Sequence, residues 1–147
     1  MEYHVKVVWQ GDDKPFTYKT YTRDHHWYYG SGTSHGASAA PEFSGNAALV
    51  NPEEAFTAAA SSCHMLTFLA IAANKKRVVL RYEDNAEGIL EKNDAGRLAM
   101  TRVILRPKVT FEGTAPTDDE LRSLHEHAHE GCFIAQSLHT KIDIEPM

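Results

Sequence analysis

The chain has only two cysteines among its 147 residues, and they form no CxxC motif. So low a count excludes the disulfide-stapled scaffold of small secreted proteins. Charge of one sign is not concentrated either. The net charge is -5, and the 15 basic residues are scattered along the chain. That argues against nucleic acid or an anionic membrane as the main partner. The first ten residues, MEYHVKVVWQ, lack the charged start and apolar run of a signal peptide, so a cytoplasmic location is expected. Internal repeats are absent and no linker divides the chain, so residues 1–147 read as a single domain.

Long apolar runs are scarce as well. The one exception, residues 55–73, is of marginal length for a membrane span. It carries Thr57, Ser61, Ser62, His64 and Thr67, all costly in lipid. It reads as a helix covered by protein on nearly all sides. One sheet would not cover so much apolar surface, and a second copy of the chain is the simplest cover.

What is present fits a soluble globular protein: 42% apolar and 24% charged residues. Residues 2–9 and 16–22 are rich in β-prone residues and flank the turn GDDKP, so they read as a hairpin. A third strand is expected at 25–30, followed by a long loop over 31–50 rich in Gly, Ser and Ala. Asn51, Pro52 and Glu54 mark the start of a helix, and Lys75 and Lys76 its end. Strands follow at 77–84, 86–92 and 97–112, the last bent near Pro107. Thr117 and Glu120 make a second capping box, and Leu121, Leu124, Ala128 and Cys132 share one face of the helix behind it. A final strand covers 140–146. The order predicts an α+β fold with a segregated antiparallel sheet.

Cys63 sits among Ser61, Ser62 and His64, surroundings in which a thiol ionises more readily than among leucines. His64 follows it directly and so points about 100° away along a helix. Such a lone helical histidine reads as a packed core residue. Cys132 continues the apolar face of the second helix and reads as buried. Two cysteines on core faces of two helices are able to form a peroxidatic and resolving pair if they meet. The string His125, His127, His129 offers at most two histidines on one face, with no acidic residue at ligand spacing, and reads as a solvated face rather than a metal site.

The stretches NPEEAFTAAASSCHM and AHEGCFIAQSL, with PEFSGN and the pair Arg23-Asp24 upstream, resemble the OsmC/Ohr family of bacterial thiol peroxidases. The resemblance implies an intertwined α+β homodimer, with antiparallel sheets packed around long central helices and the active site at the dimer interface. It implies that Cys63 is the peroxidatic cysteine and Cys132 the resolving one. Arg23 is similar to the arginine that holds the thiolate, and Glu53 to the glutamate that pairs with that arginine. No bound cofactor is implied. The partners would be an organic hydroperoxide and an external dithiol reductant, a lipoylated protein in the organic-hydroperoxide branch. Cys63-His64 and Cys132-Phe133 depart from the family pattern, which usually has Cys-Pro at the second site, and mark a divergent subgroup. Glu53 lies ten residues before Cys63, about 15 Å along a straight helix. Both serve one site only if the helix breaks between them or Glu53 comes from the partner subunit. Two further readings keep the fold: a non-catalytic dimer holding a small apolar ligand at its interface, and a metal-binding stress protein that uses the histidine string.

Overall fold

Helix α1 (Pro52–Asn74) starts where its capping residues place it. Asn51 Oδ1 accepts from the Glu54 amide at 2.9 Å, and Glu54 Oε2 accepts from the Asn51 amide at 3.2 Å. A computed structural model of the chain describes residues 1–147, in two compact units, Met1–Ala55 and Phe56–Met147.

The first unit is built on a three-stranded antiparallel sheet of β1 (Val5–Val8), β2 (His25–Tyr29) and β3 (Ser34–Ala37), with β2 central. Val7 lies opposite Trp27, and His26 opposite Gly36. The expected hairpin between 2–9 and 16–22 does not form. Thr17 and Thr20 bond each other's hydroxyls at 2.6 Å, and the Tyr21 amide returns to Thr17 O at 3.0 Å, which closes a turn instead of a strand. Phe16 and Tyr21 then pack on Trp9 with ring centroids 5.8 and 6.5 Å away. The β1 partner is β2. The loop expected over 31–50 also holds structure: β3, a 3-10 helix at Pro41–Phe43, and a bridge between Ala37 and Val50. Gly45 lets this segment fold back. A Cβ there would lie 1.6 Å from Ala39 O.

In the second unit, β4 (Val79–Asp84) pairs with β7 (Pro107–Phe111), and β5 (Glu87–Lys92) pairs with β6 (Leu98–Leu105), both antiparallel. The single bent strand expected over 97–112 is thus two strands in two sheets. The break falls at Arg106, whose amide donates to Asp84 Oδ1 at 2.6 Å instead of to a ladder, and at Pro107, which has no amide hydrogen. Helix α2 (Asp118–Gly131) carries the expected capping box and leads through the short α3 (Phe133–Gln136) to β8 (Lys141–Ile144). β8 lies parallel to β6, so this sheet is not wholly antiparallel. The intervening helices supply the long crossover that parallel pairing needs.

Two apolar clusters hold this unit. Phe68 and Ala72 of α1 meet Leu124 and Ala128 of α2 over Val79, Tyr82 and Val109. Ala60 of α1 meets Val103 and Leu105 of β6 over Ile142 and Ile144. On α1 the buried residues are Ala60, His64, Phe68 and Ala72, a stripe at every fourth position. The helix is therefore not covered on nearly all sides within one chain, and Leu66 is 60% exposed.

Asp84 ties these parts together. Its carboxylate accepts from the Ser61 hydroxyl on α1 and from the Arg106 amide between β6 and β7. Asp84→Ala is expected to lower unfolding stability by about 3 kcal/mol, because it strands a backbone amide and a hydroxyl together. Urea unfolding of the variant beside Asp84→Asn, which keeps an acceptor, checks this. A loss below about 0.5 kcal/mol would show that water replaces the carboxylate.

Candidate active site

Cys63 lies in the fourth turn of α1, one residue before the buried stripe position His64, and is half-buried. Cys132 is the residue at which α2 ends and α3 begins. Gly131 ends α2 because the chain must pass close to α1 there. A Cβ on Gly131 would lie 3.0 Å from Thr67 Cγ2, and Thr67 in turn donates to Cys63 O at 2.9 Å. Cys63 acts on the Cys132 thiol across this approach, and both cysteines are free.

The two sulfurs differ in surroundings. Cys132 is 1% exposed, and burial, followed by its contact with Cys63, pushes its thiol above the usual range. Its Sγ also accepts from the Ala135 amide at 3.4 Å, the N-cap contact of α3, which acts in the opposite direction. Phe133, which follows Cys132, is 82% exposed.

Beside the thiols lies a pair of buried histidines. His64 Nε2 and His125 Nδ1 are 3.0 Å apart, and the ring planes differ by 8°. The rings are 1% and 3% exposed. Burial, then His125 and His129, brings His64 down to about 4; burial brings His125 down to about 4. Burial of His64 fits the core reading of that residue. His125 does not sit on a solvated face as expected. It falls within the arc of Leu121, Leu124 and Ala128, a signal the spacing already contained. His127 does face solvent and bonds Ser123 O at 2.7 Å. No three His, Cys, Asp or Glu side chains are grouped to hold a metal ion.

Arg23 and Glu53 belong to the first unit. The Arg23 guanidinium donates to Tyr21 O at 2.7 Å and Tyr18 O at 2.5 Å, and lies 3.7 Å from the Tyr21 ring centroid. Its neighbour Asp24 accepts from Asn46 Nδ2 at 3.2 Å, which joins the Arg23 segment to the PEFSGN loop. Glu53 lies in the first turn of α1, where the helix dipole favours an acid. The helix is continuous from Pro52 to Asn74, so no break brings Glu53 toward Cys63.

The family of OsmC-like proteins matches residues 45–147. No curated protein matches the chain. Among solved structures, an OsmC-like protein of unknown function from Vibrio cholerae is 45% identical with a TM-score of 0.95, covering 100% of this chain and 99% of that one. An organic hydroperoxide resistance protein OsmC from Legionella pneumophila is 18% identical with a TM-score of 0.72, covering 99% and 95%. The organic hydroperoxide resistance protein OhrB of Bacillus subtilis is 16% identical with a TM-score of 0.69, covering 100% and 98%. The two latter likenesses are of fold, and they match the α+β architecture of mixed helices and antiparallel sheets.

The histidine pair sets an acid limit. Each ring titrates near its ordinary 6.5 when unfolded and near 4 when folded. Between those values the unfolded chain holds more protons, so stability falls as pH drops from 6.5 toward 4, by about 1.4 kcal/mol per pH unit for each ring, and levels off below. Urea midpoints at pH 7 and pH 4.5 check this. His64→Gln with His125→Asn should flatten the profile, and an unchanged slope would assign the acid loss to other groups.

Proposed function

The chain belongs to the OsmC-like family, and from that premise we propose that it is a cysteine-based thiol peroxidase that reduces organic hydroperoxides in defence against oxidative stress. The observation that carries this reading is the meeting of two free thiols, Cys63 and Cys132, at one point between α1 and α2. The organic hydroperoxide resistance proteins of the same fold support it.

The chemistry runs in two steps. The Cys63 thiolate attacks the terminal peroxide oxygen, the O–O bond breaks, and the alkoxide takes a proton to leave as alcohol. Cys63 is then a sulfenic acid. Cys132 attacks the Cys63 sulfur, an S–S bond forms, and the hydroxyl leaves with the Cys132 proton as water. Two electrons have passed from the thiols to the peroxide. An external dithiol, of the lipoylated kind in the organic-hydroperoxide branch, restores both thiols by exchange. The unequal surroundings of the sulfurs fit this division: the buried, raised Cys132 thiol is a poor first nucleophile.

Arg23 would hold the Cys63 thiolate, since a guanidinium keeps its charge across the working pH range, and Glu53 would fix that guanidinium. Because α1 is unbroken, Glu53 serves Cys63 from the partner subunit in this reading, and the working form is a homodimer. The open apolar surface supports the same conclusion. Leu66 of α1 is 60% exposed, and Val5 and Val7 of β1 are 58% and 61% exposed. A second copy, rather than lipid, is the cover that suits a helix pinned by Ser61 to Asp84. The setting is the cytoplasm, where thiols are kept reduced.

Variants test the roles. Cys63→Ser should abolish hydroperoxide consumption. Cys132→Ser should still allow one turnover and leave Cys63 as sulfenic acid, open to over-oxidation. Arg23→Met should slow Cys63 oxidation about tenfold or more, the scale of one unit of thiolate pKa plus lost orientation. Peroxide consumption and peptide mass spectrometry read all three. Consumption unchanged in Cys63→Ser would end the peroxidase reading, and an unchanged rate in Arg23→Met would make Arg23 structural.

A further inference from the structure

We propose that His64 and His125 are a positioning pair, whose ring-to-ring hydrogen bond fixes α1 against α2 so that the Cys63 and Cys132 sulfurs can join. This inference rests on the two-cysteine reading but concerns disulfide closure alone, not peroxide chemistry.

The placement carries it. His64 follows Cys63 on α1, and His125 lies about two turns ahead of Cys132 on α2. One bond between the rings therefore links the two cysteine-bearing helices, next to Cys63 in sequence and about 10 Å along α2 from Cys132. The link is short, at 3.0 Å, and its rings are nearly parallel. Its surroundings are closed: Phe68 packs on the His125 ring at 4.5 Å, and Tyr82 packs on Phe68 at 5.5 Å.

Elsewhere the α1–α2 contact is apolar, made by Phe68, Ala72, Leu124 and Ala128. Apolar contact is non-directional and tolerates small slides and rotations. A hydrogen bond between two rings does not, because both distance and angle are restricted. Joining two sulfurs demands such control, since a disulfide forms only over a narrow range of Cβ separation and dihedral angle. Gly131 permits the helices to come close at Thr67, but the missing Cβ sets no direction. The imidazole pair supplies it.

The surroundings of the rings also place the proton. His125 Nε2 is buried without a partner. An orphaned acceptor is tolerated better than an orphaned N–H. The hydrogen of His125 therefore sits on Nδ1 and is donated to His64 Nε2. The neighbouring groups that act on the ring of His64 are His125, His129 and Asp84, and burial keeps the pair neutral near pH 7. Asparagine at 125 places an amide nitrogen where Nδ1 lies, and glutamine at 64 places an amide oxygen where Nε2 lies. Leucine at either position breaks the link while keeping apolar bulk.

The test is the equilibrium between dithiol and disulfide at Cys63–Cys132, measured in dithiothreitol redox buffers at pH 7, with urea midpoints taken in parallel. The unaltered protein should form the intramolecular disulfide. His125→Leu and His64→Leu should weaken that disulfide about tenfold, the scale of one buried hydrogen bond. His125→Asn and His64→Gln should stay within about threefold of the parent, even where their urea midpoints fall. An equal equilibrium constant in the leucine variants overturns the proposal. So does a folded His125→Asn that loses the disulfide, which keeps the proposal falsifiable should the leucine variants not fold. Absence of the disulfide in the unaltered protein overturns it too. A disulfide that forms in redox buffer but not with organic hydroperoxide would instead remove the peroxidase reading and leave the pair's positioning role standing.

Discussion

One carboxylate joins three parts of the second unit. Asp84 stands at the end of β4, where it accepts from Ser61 on α1 and from the Arg106 amide between β6 and β7. The two small sheets of this unit have no shared ladder, so their relation must come from elsewhere. Asp84 contributes to it, beside the Met147 amide that donates to Pro107 O at 2.9 Å, and ties α1 to the same point. Ser61 is two residues ahead of Cys63, so the residue that orders the sheets also places the first thiol. The rest of the site follows: α1 held by Asp84, α2 laid on it through Phe68 and Leu124, and the end of α2 admitted close to α1 by Gly131.

The close approach gives two thiols in unlike environments on two helices. Cys132 is sealed and its thiol raised, while Cys63 is partly exposed. That asymmetry suits a dithiol in which one sulfur reacts with a solution substrate and the other waits. The chain belongs to the OsmC-like family and shares its fold. The V. cholerae relative, of unknown function, shares 45% of its residues, so a result on either chain bears on the other.

Much of this was legible in the residues, and the failures have physical causes. Helix starts were readable because capping is local: Asn51 with Glu54 and Thr117 with Glu120 lie three residues apart and bond as their types require. The β3 strand was not, because SHGA carries no β-branched residue. Residues 16–22 have β-prone side chains, but Thr17 and Thr20 use theirs to close a turn. The strand at 97–112 hid its break because the group that captures the Arg106 amide is 22 residues away. Within the site, the pairing of Cys63 with Cys132 could only be posed from sequence, since it depends on how two helices cross. The His64–His125 bond escaped for the same reason, spanning 61 residues.

The central claim is that these two thiols act as one two-electron unit toward an organic hydroperoxide. Titrating the reduced protein with cumene hydroperoxide and counting free thiols and remaining peroxide tests it most directly. The account predicts two thiols lost for each peroxide consumed, an endpoint at one equivalent per chain, and full recovery of both thiols on adding a dithiol. Full retention of both thiols beside undiminished peroxide would contradict it.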